Sequence, residues 1–197
     1  MKCKLFFVVL VLLFSFSSYA QTIVGTYHSN FYNQDLNVEL DCKEAKFAGK
    51  DITKKEYPKK IYLQVYTADL GKKAFIEFST SAAKKFGKEL RSRYNAMKTW
   101  AKISNKEEKS VKDSEVTLFF STFDEAFNKE IVGCETGQDY TLYFIKDNKG
   151  ERVYYRGEAA RNEGKTNISV SGWGLVITSL EEVQQIDNLL NKAAQIK

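Results

Sequence analysis

Between Tyr140 and Ile196 the apolar and polar positions change period twice, and the rest of the chain can be read around that stretch. Tyr140, Leu142 and Phe144 share one parity and Thr141 and Tyr143 the other, which is the two-residue period of a strand. Asp147-Asn148-Lys149-Gly150 follows as a turn, because Asn and Asp tolerate turn geometry and Gly150 carries no Cβ to clash at positive φ. A hairpin into a strand at Arg152 to Arg156 is the firmest pairing the pattern predicts. A further strand spans about Asn167 to Ile177. Its second half is apolar on both parities, so it is expected to lie centrally with both faces covered.

The period then lengthens. Ser179 and Glu182 have the spacing of a capping box, and Leu180, Val183, Ile186, Leu190 and Ala193 recur every three or four residues. A second helical stretch is predicted over 82–103, capped by Thr80 or Ser81, with Ala83, Phe86, Leu90, Tyr94, Met97, Trp100 and Ala101 on its apolar side. Lys84, Lys85, Lys88, Arg91, Arg93, Lys98 and Lys102 fill most of the other positions against Glu89 alone, so this helix is strongly basic. Earlier strands are predicted at Ile23 to Phe31, Leu36 to Asp41, Ile61 to Tyr66 and Ala74 to Phe78, and a later one at Val116 to Phe120. Residues 43–60 read as a polar surface loop with at most a poor short strand, 104–114 as a charged and flexible connection, and 123–136 as an irregular crossing around Cys134. The predicted class is α+β: a mostly antiparallel twisted sheet of seven to eight strands, open or curled into a partial barrel, with two long amphipathic helices. The carboxy-terminal helix is placed on one face and the basic helix on the other face or across an end.

Composition narrows the setting. Lys2 and Lys4, the apolar run Leu5 to Phe14 and the small residues around Ala20 have the form of a secretory signal peptide over 1–20. The expectation is a single domain over 21–197, released outside the cytoplasm or into the periplasm. Losing Lys2 and Lys4 lowers the net charge from +5 to +3, too small an excess to imply nucleic acid. Membrane contact is expected only through the leader. Cys42 and Cys134 then remain, and in an oxidising compartment a disulfide between them is the favoured reading over separate thiols.

Catalytic chemistry finds little support. His28 is the sole histidine and no serine sits in a nucleophile-elbow turn, so no catalytic residue is assigned. Glu39 and Asp41 share one strand face and could serve a carboxylate hydrolase, although alternating acids are more often solvated surface. No metal-ligand spacing and no phosphate-binding glycine loop is present, and no cofactor is expected.

Candidate binding residues are aromatic. Tyr62, Tyr66, Tyr143 and Tyr154 lie on the non-core parity of their strands and together would form an amphipathic platform. The plainer alternative, which we favour on the sequence, is that the basic helix covers this face with Tyr94, Met97 and Trp100. Trp173 lies between two glycines, which admit a close backbone or ligand, although a core tryptophan at a bulge is the commoner meaning. The functional expectation is a secreted, non-enzymatic binding protein for a glycan, peptide or protein. The alternative is a carrier holding a small apolar ligand among Phe78, Phe120 and Phe144.

Overall fold

The computed structural model describes residues 21–41, 46–47, 50–51, 59–126, 128–162 and 168–196. In chain order these form β1 (Gln21–Ser29), β2 (Gln34–Asp41), β3 (Lys46–Phe47), β4 (Lys50–Asp51), β5 (Lys60–Val65), β6 (Lys72–Ser79), α1 (Thr80–Ile103), β7 (Glu108–Asp124) and β8 (Lys129–Asp147). They continue with β9 (Gly150–Gly157), β10 (Ala160–Arg161), β11 (Ser169–Val170), β12 (Trp173–Ile177) and α2 (Leu180–Gln195). The expected leader over 1–20 lies outside the described residues.

Eight strands form one sheet in the order β1-β2-β5-β6-β7-β8-β9-β12, every neighbour antiparallel. That is the order of the chain itself, so the sheet is a meander. Within the connections, β3 with β4 and β10 with β11 make separate two-stranded ribbons. The α+β class and the large antiparallel sheet agree with the sequence pattern.

Alternation decides which side chains face inward. Leu36, Val38, Leu40, Leu63, Ile76, Leu118, Phe120 and Leu142 belong to the one large core cluster, together with Ala83, Leu90 and Met97 of α1 and Val183, Ile186 and Leu190 of α2. Each of these side chains larger than alanine, fully removed from water, contributes roughly 1.5–3 kcal/mol. Because one cluster contains both apolar stripes and α1 packs directly on α2, both helices lie on the same face. The expected placement of the basic helix on the opposite face is therefore corrected. Periodicity marks a helix's apolar stripe but does not say which sheet face receives it.

The sheet bends along the β7–β8 hairpin. Register shifts between Ser110 and Lys112 and between Val116 and Leu118 break the ladder, and Gly137 takes φ 70° beside them. Such bulges turn a strand and increase its twist. The 117–122 part of β7 pairs with β6, while the 140–147 part of β8 pairs with β9. The bend carries β9 and β12 round toward the far end of β5, where Tyr66 and Gly174 exchange backbone hydrogen bonds of 3.0 and 2.9 Å. The sheet is not closed into a barrel; among the described residues this isolated bridge ties its last strand to the end of β5.

Several local expectations change. Residues 108–114 are strand, because the ladder with β8 satisfies their backbone despite their charge. The irregular crossing over 123–136 is largely the first part of β8. The strand expected at 167–177 is interrupted at Ser171 and Gly172, and β12 stands at the end of the sheet rather than its centre. It is nevertheless buried throughout. The cap of α1 is Ser79, whose Oγ accepts from Ala82 N at 3.2 Å, not Thr80 or Ser81. The capping box of α2 forms as expected, and Leu180 alone of its expected stripe is exposed.

Side chains of α2 secure the adjoining edge of the sheet. Glu182, buried at the start of the helix, accepts from Ser179 N and Thr178 N through Oε2 and from Asn30 N through Oε1 at 2.8 Å. The same carboxylate thus caps the helix and holds the β1–β2 turn. Lys192 donates to Val24 O at 3.0 Å, and His28 N donates to Gln185 Oε1 at 3.3 Å, so α2 occupies edge groups of β1 that would otherwise be open to pairing.

Candidate functional site

Where the curled sheet meets itself, a groove of about 430 Å³ opens between the β1–β2 turn, the end of β5 and the strands β9 and β12. Its walls include Phe31, Tyr32, Tyr66, Arg152, Tyr154 and Arg156. The turn is built by Asn30 to Asn33, with Asn33 at φ 50°, a conformation asparagine adopts more readily than most residues. Glu182 fixes its first residue, and Tyr32 is thereby laid on Tyr66. The two rings stack with centroids 3.9 Å apart and planes 8° from parallel. Phe31 meets Tyr32 edge to face at 5.1 Å, and the guanidinium of Arg152 stands 5.0 Å from the Phe31 centroid.

Gly174 makes this packing possible. A Cβ at that position would lie 2.8 Å from Cε2 of Tyr154 and 2.9 Å from Oη of Tyr32. The glycine therefore serves both the backbone bridge to Tyr66 and the approach of two phenol rings. Burial, with the phenol of Tyr154 as the next cause, pushes the Tyr32 hydroxyl well above its ordinary range, so it stays protonated.

The two arginines differ. Arg152 makes a forked pair with Asp147, both contacts at 2.7 Å, and this holds the Asp147 carboxyl down at about 2. Arg156, on the same strand but exposed, meets no carboxylate among the described residues. Glu158 and Ser171 add acceptors at the rim. Asp69 is already bound by Ser171 N and Oγ at 2.7 and 2.8 Å.

The sequence-derived residues separate into two places. Tyr66 and Tyr154 line the groove, and Tyr143 lies beside Tyr154 with centroids 6.5 Å apart. Trp173 also borders it, but is only 3% exposed and packs in the core over Gly157, where a Cβ would come within 1.8 Å of the indole. Its Nε1 has no hydrogen-bond acceptor among the described residues. Tyr62 stands apart in a second cluster with Phe75 and Phe119, and its hydroxyl meets Glu77 Oε2 at 3.2 Å. α1 does not cover the groove. Tyr94 donates to Thr178 O at 3.4 Å, Trp100 lies 6.1 Å from Phe144, and Met97 is buried in the main core. Phe31, expected from the sequence as the end of the first strand, falls instead in the turn, because β1 stops at Ser29. Tyr32 escapes sequence reading because turn residues have no periodicity to mark them; the adjacent aromatic pair in a short turn is the available signal.

The other candidate chemistry is dispersed. His28 is exposed, with Nδ1 2.8 Å from Asp35. Glu39 is buried, accepts from Asn37 Nδ2 at 3.2 Å, and has its carboxyl pushed up by desolvation. Phe78, Phe120 and Phe144 are buried, with Phe78 packed on Phe86 and Phe144 on Trp100. Cys134 is an exposed free thiol, and Cys42 lies outside the described residues. No group of three or more metal-ligating side chains occurs among the described residues. Compared with family models, curated proteins and solved structures, the chain matches none.

Proposed function

We propose that this is a secreted, non-enzymatic binding protein whose groove receives a saccharide. The observation that carries the reading is the convergence of Tyr32, Tyr66 and Tyr154 with two guanidinium groups in one open groove. Aromatic rings offer flat apolar surface to a pyranose face, while Arg156, Glu158 and Ser171 offer both donors and acceptors to its hydroxyls. Arg152, Tyr154 and Arg156 stand on β9, so little conformational entropy is lost where they meet a ligand. Phe78, Phe120 and Phe144 are packed into the main core with the apolar stripe of α1, which favours this surface role over the carrier alternative.

A glycan array probed with the chain from residue 21 onward tests the reading. Tyr66→Ala with Tyr154→Ala is expected to weaken the best saccharide by roughly tenfold or more, as for central aromatic anchors, with an unchanged far-ultraviolet circular dichroism spectrum. Undiminished binding by the double variant rejects the groove as the site.

A further inference from the structure

Helix α1 has seven lysines and arginines against the single acid Glu89, so it holds more net positive charge than the +5 of the entire chain. The charge is ordered as well as abundant. At 100° per residue, Lys84, Lys88, Arg91, Asn95 and Lys102 fall on one exposed stripe, opposite the buried Ala83, Phe86, Leu90, Met97 and Ala101. From Lys84 to Lys102 the stripe is about 27 Å long at the helical rise. Glu89 lies off it and faces Lys85 at 3.8 Å. Two cations of the stripe are shared, Arg91 with Asp187 of α2 at 3.8 Å and Lys98, at its margin, with Glu151 of β9 at 2.5 Å, whereas Lys84, Lys88 and Lys102 meet no carboxylate among the described residues.

We propose that this stripe is a docking surface for a linear acidic polysaccharide, carrying sulfate or carboxylate groups along its length. A narrow, straight row of mobile ammonium groups suits a string of anions rather than one shaped pocket. A lipid surface fits less well, because an interfacial helix needs its apolar face for the membrane, and that of α1 is spent on the sheet. The surface lies on the helical side of the sheet, away from the tyrosine groove, and does not depend on it.

Binding to immobilised heparin octasaccharide, measured across a salt series, tests the inference. The triple variant Lys84→Gln, Lys88→Gln, Lys102→Gln is expected to bind at least tenfold more weakly near physiological salt. The slope of log affinity against log salt should fall by about two, reflecting fewer counterions displaced. A control triple at other exposed lysines, Lys106→Gln, Lys109→Gln, Lys112→Gln, should stay within about threefold of the parent. Equal losses in the two triples, or none in the first, overturn the proposal. So does tighter binding to vesicles containing an anionic phospholipid, or to a single-stranded oligonucleotide of matched charge. All six lysines are exposed, so the variants should retain the parent's thermal transition.

Discussion

Tyr62 and Tyr66 are four residues apart on the same strand parity and look interchangeable in the sequence, yet they occupy opposite kinds of site. Tyr62 is 5% exposed, with ring centroids 6.4 Å from Phe75 and 5.2 Å from Phe119, and its phenol is raised by burial and by Glu77. Tyr66 emerges just past the end of β5, bridges to Gly174 and stacks on a residue of a distant turn. Parity assigns a side chain to a face. Whether that face is filled is decided by residues distant in the chain, so an aromatic on the outer parity is neither a binding residue nor a core residue until its cross-strand neighbours are known.

Substitution should separate the pair most strongly in stability. Tyr62→Ala is expected to lower unfolding stability by about 3 kcal/mol, in the range of buried aromatic truncations, while Tyr66→Ala should cost under about 1 kcal/mol. Chemical denaturation of both variants measures this, and similar losses would dissolve the distinction.

A smaller effect probes how the seam is held. Gly174→Ala sets a methyl against the rings of Tyr32 and Tyr154 and should cost about 1–3 kcal/mol, the usual range for overpacking. Because the rings must move, near-ultraviolet circular dichroism should change with it. A variant with parental stability and spectrum would show that the seam has more room than its distances indicate.

The smallest effect lies at the groove's outer end. Arg152 depresses the carboxyl of Asp147, so this pair stabilises the folded state above the ordinary aspartate value and the contribution is lost as pH falls through about 2. An NMR titration should place the Asp147 midpoint near 2, and Arg152→Gln should return it toward about 3.9. A midpoint that does not move would mean that the fork does not persist in solution.

Much of the groove's framework is legible in the sequence and its assembly is not. Tyr66, Tyr143 and Tyr154 can be read as outer-face residues because alternation is local. Tyr32 cannot be joined to them, since a turn contacts whatever the sheet's curvature brings to it. Trp173 is marked by its flanking glycines. Gly174 does admit close neighbours, but these are Tyr66 and two phenol rings, while the indole itself turns into the core. The basic helix is evident from its periodicity, yet its face of the sheet is not.

The sequence by itself determined what rests on contacts within a few residues: the capping box of Ser179 and Glu182, the Asp147–Gly150 turn with Gly150 at φ 99°, the apolar stripes of both helices and the alternation of the strands. Only the tertiary structure decided which sheet face takes the helices, that the charged residues 108–114 form a strand, that β12 ends the sheet yet is buried, and that Tyr32 meets Tyr66. Local rules are carried by backbone geometry and neighbouring side chains, which any chain copy displays. The rest depends on how bulges in one long hairpin bend the sheet, and that bend has meaning only once strands distant in sequence have paired.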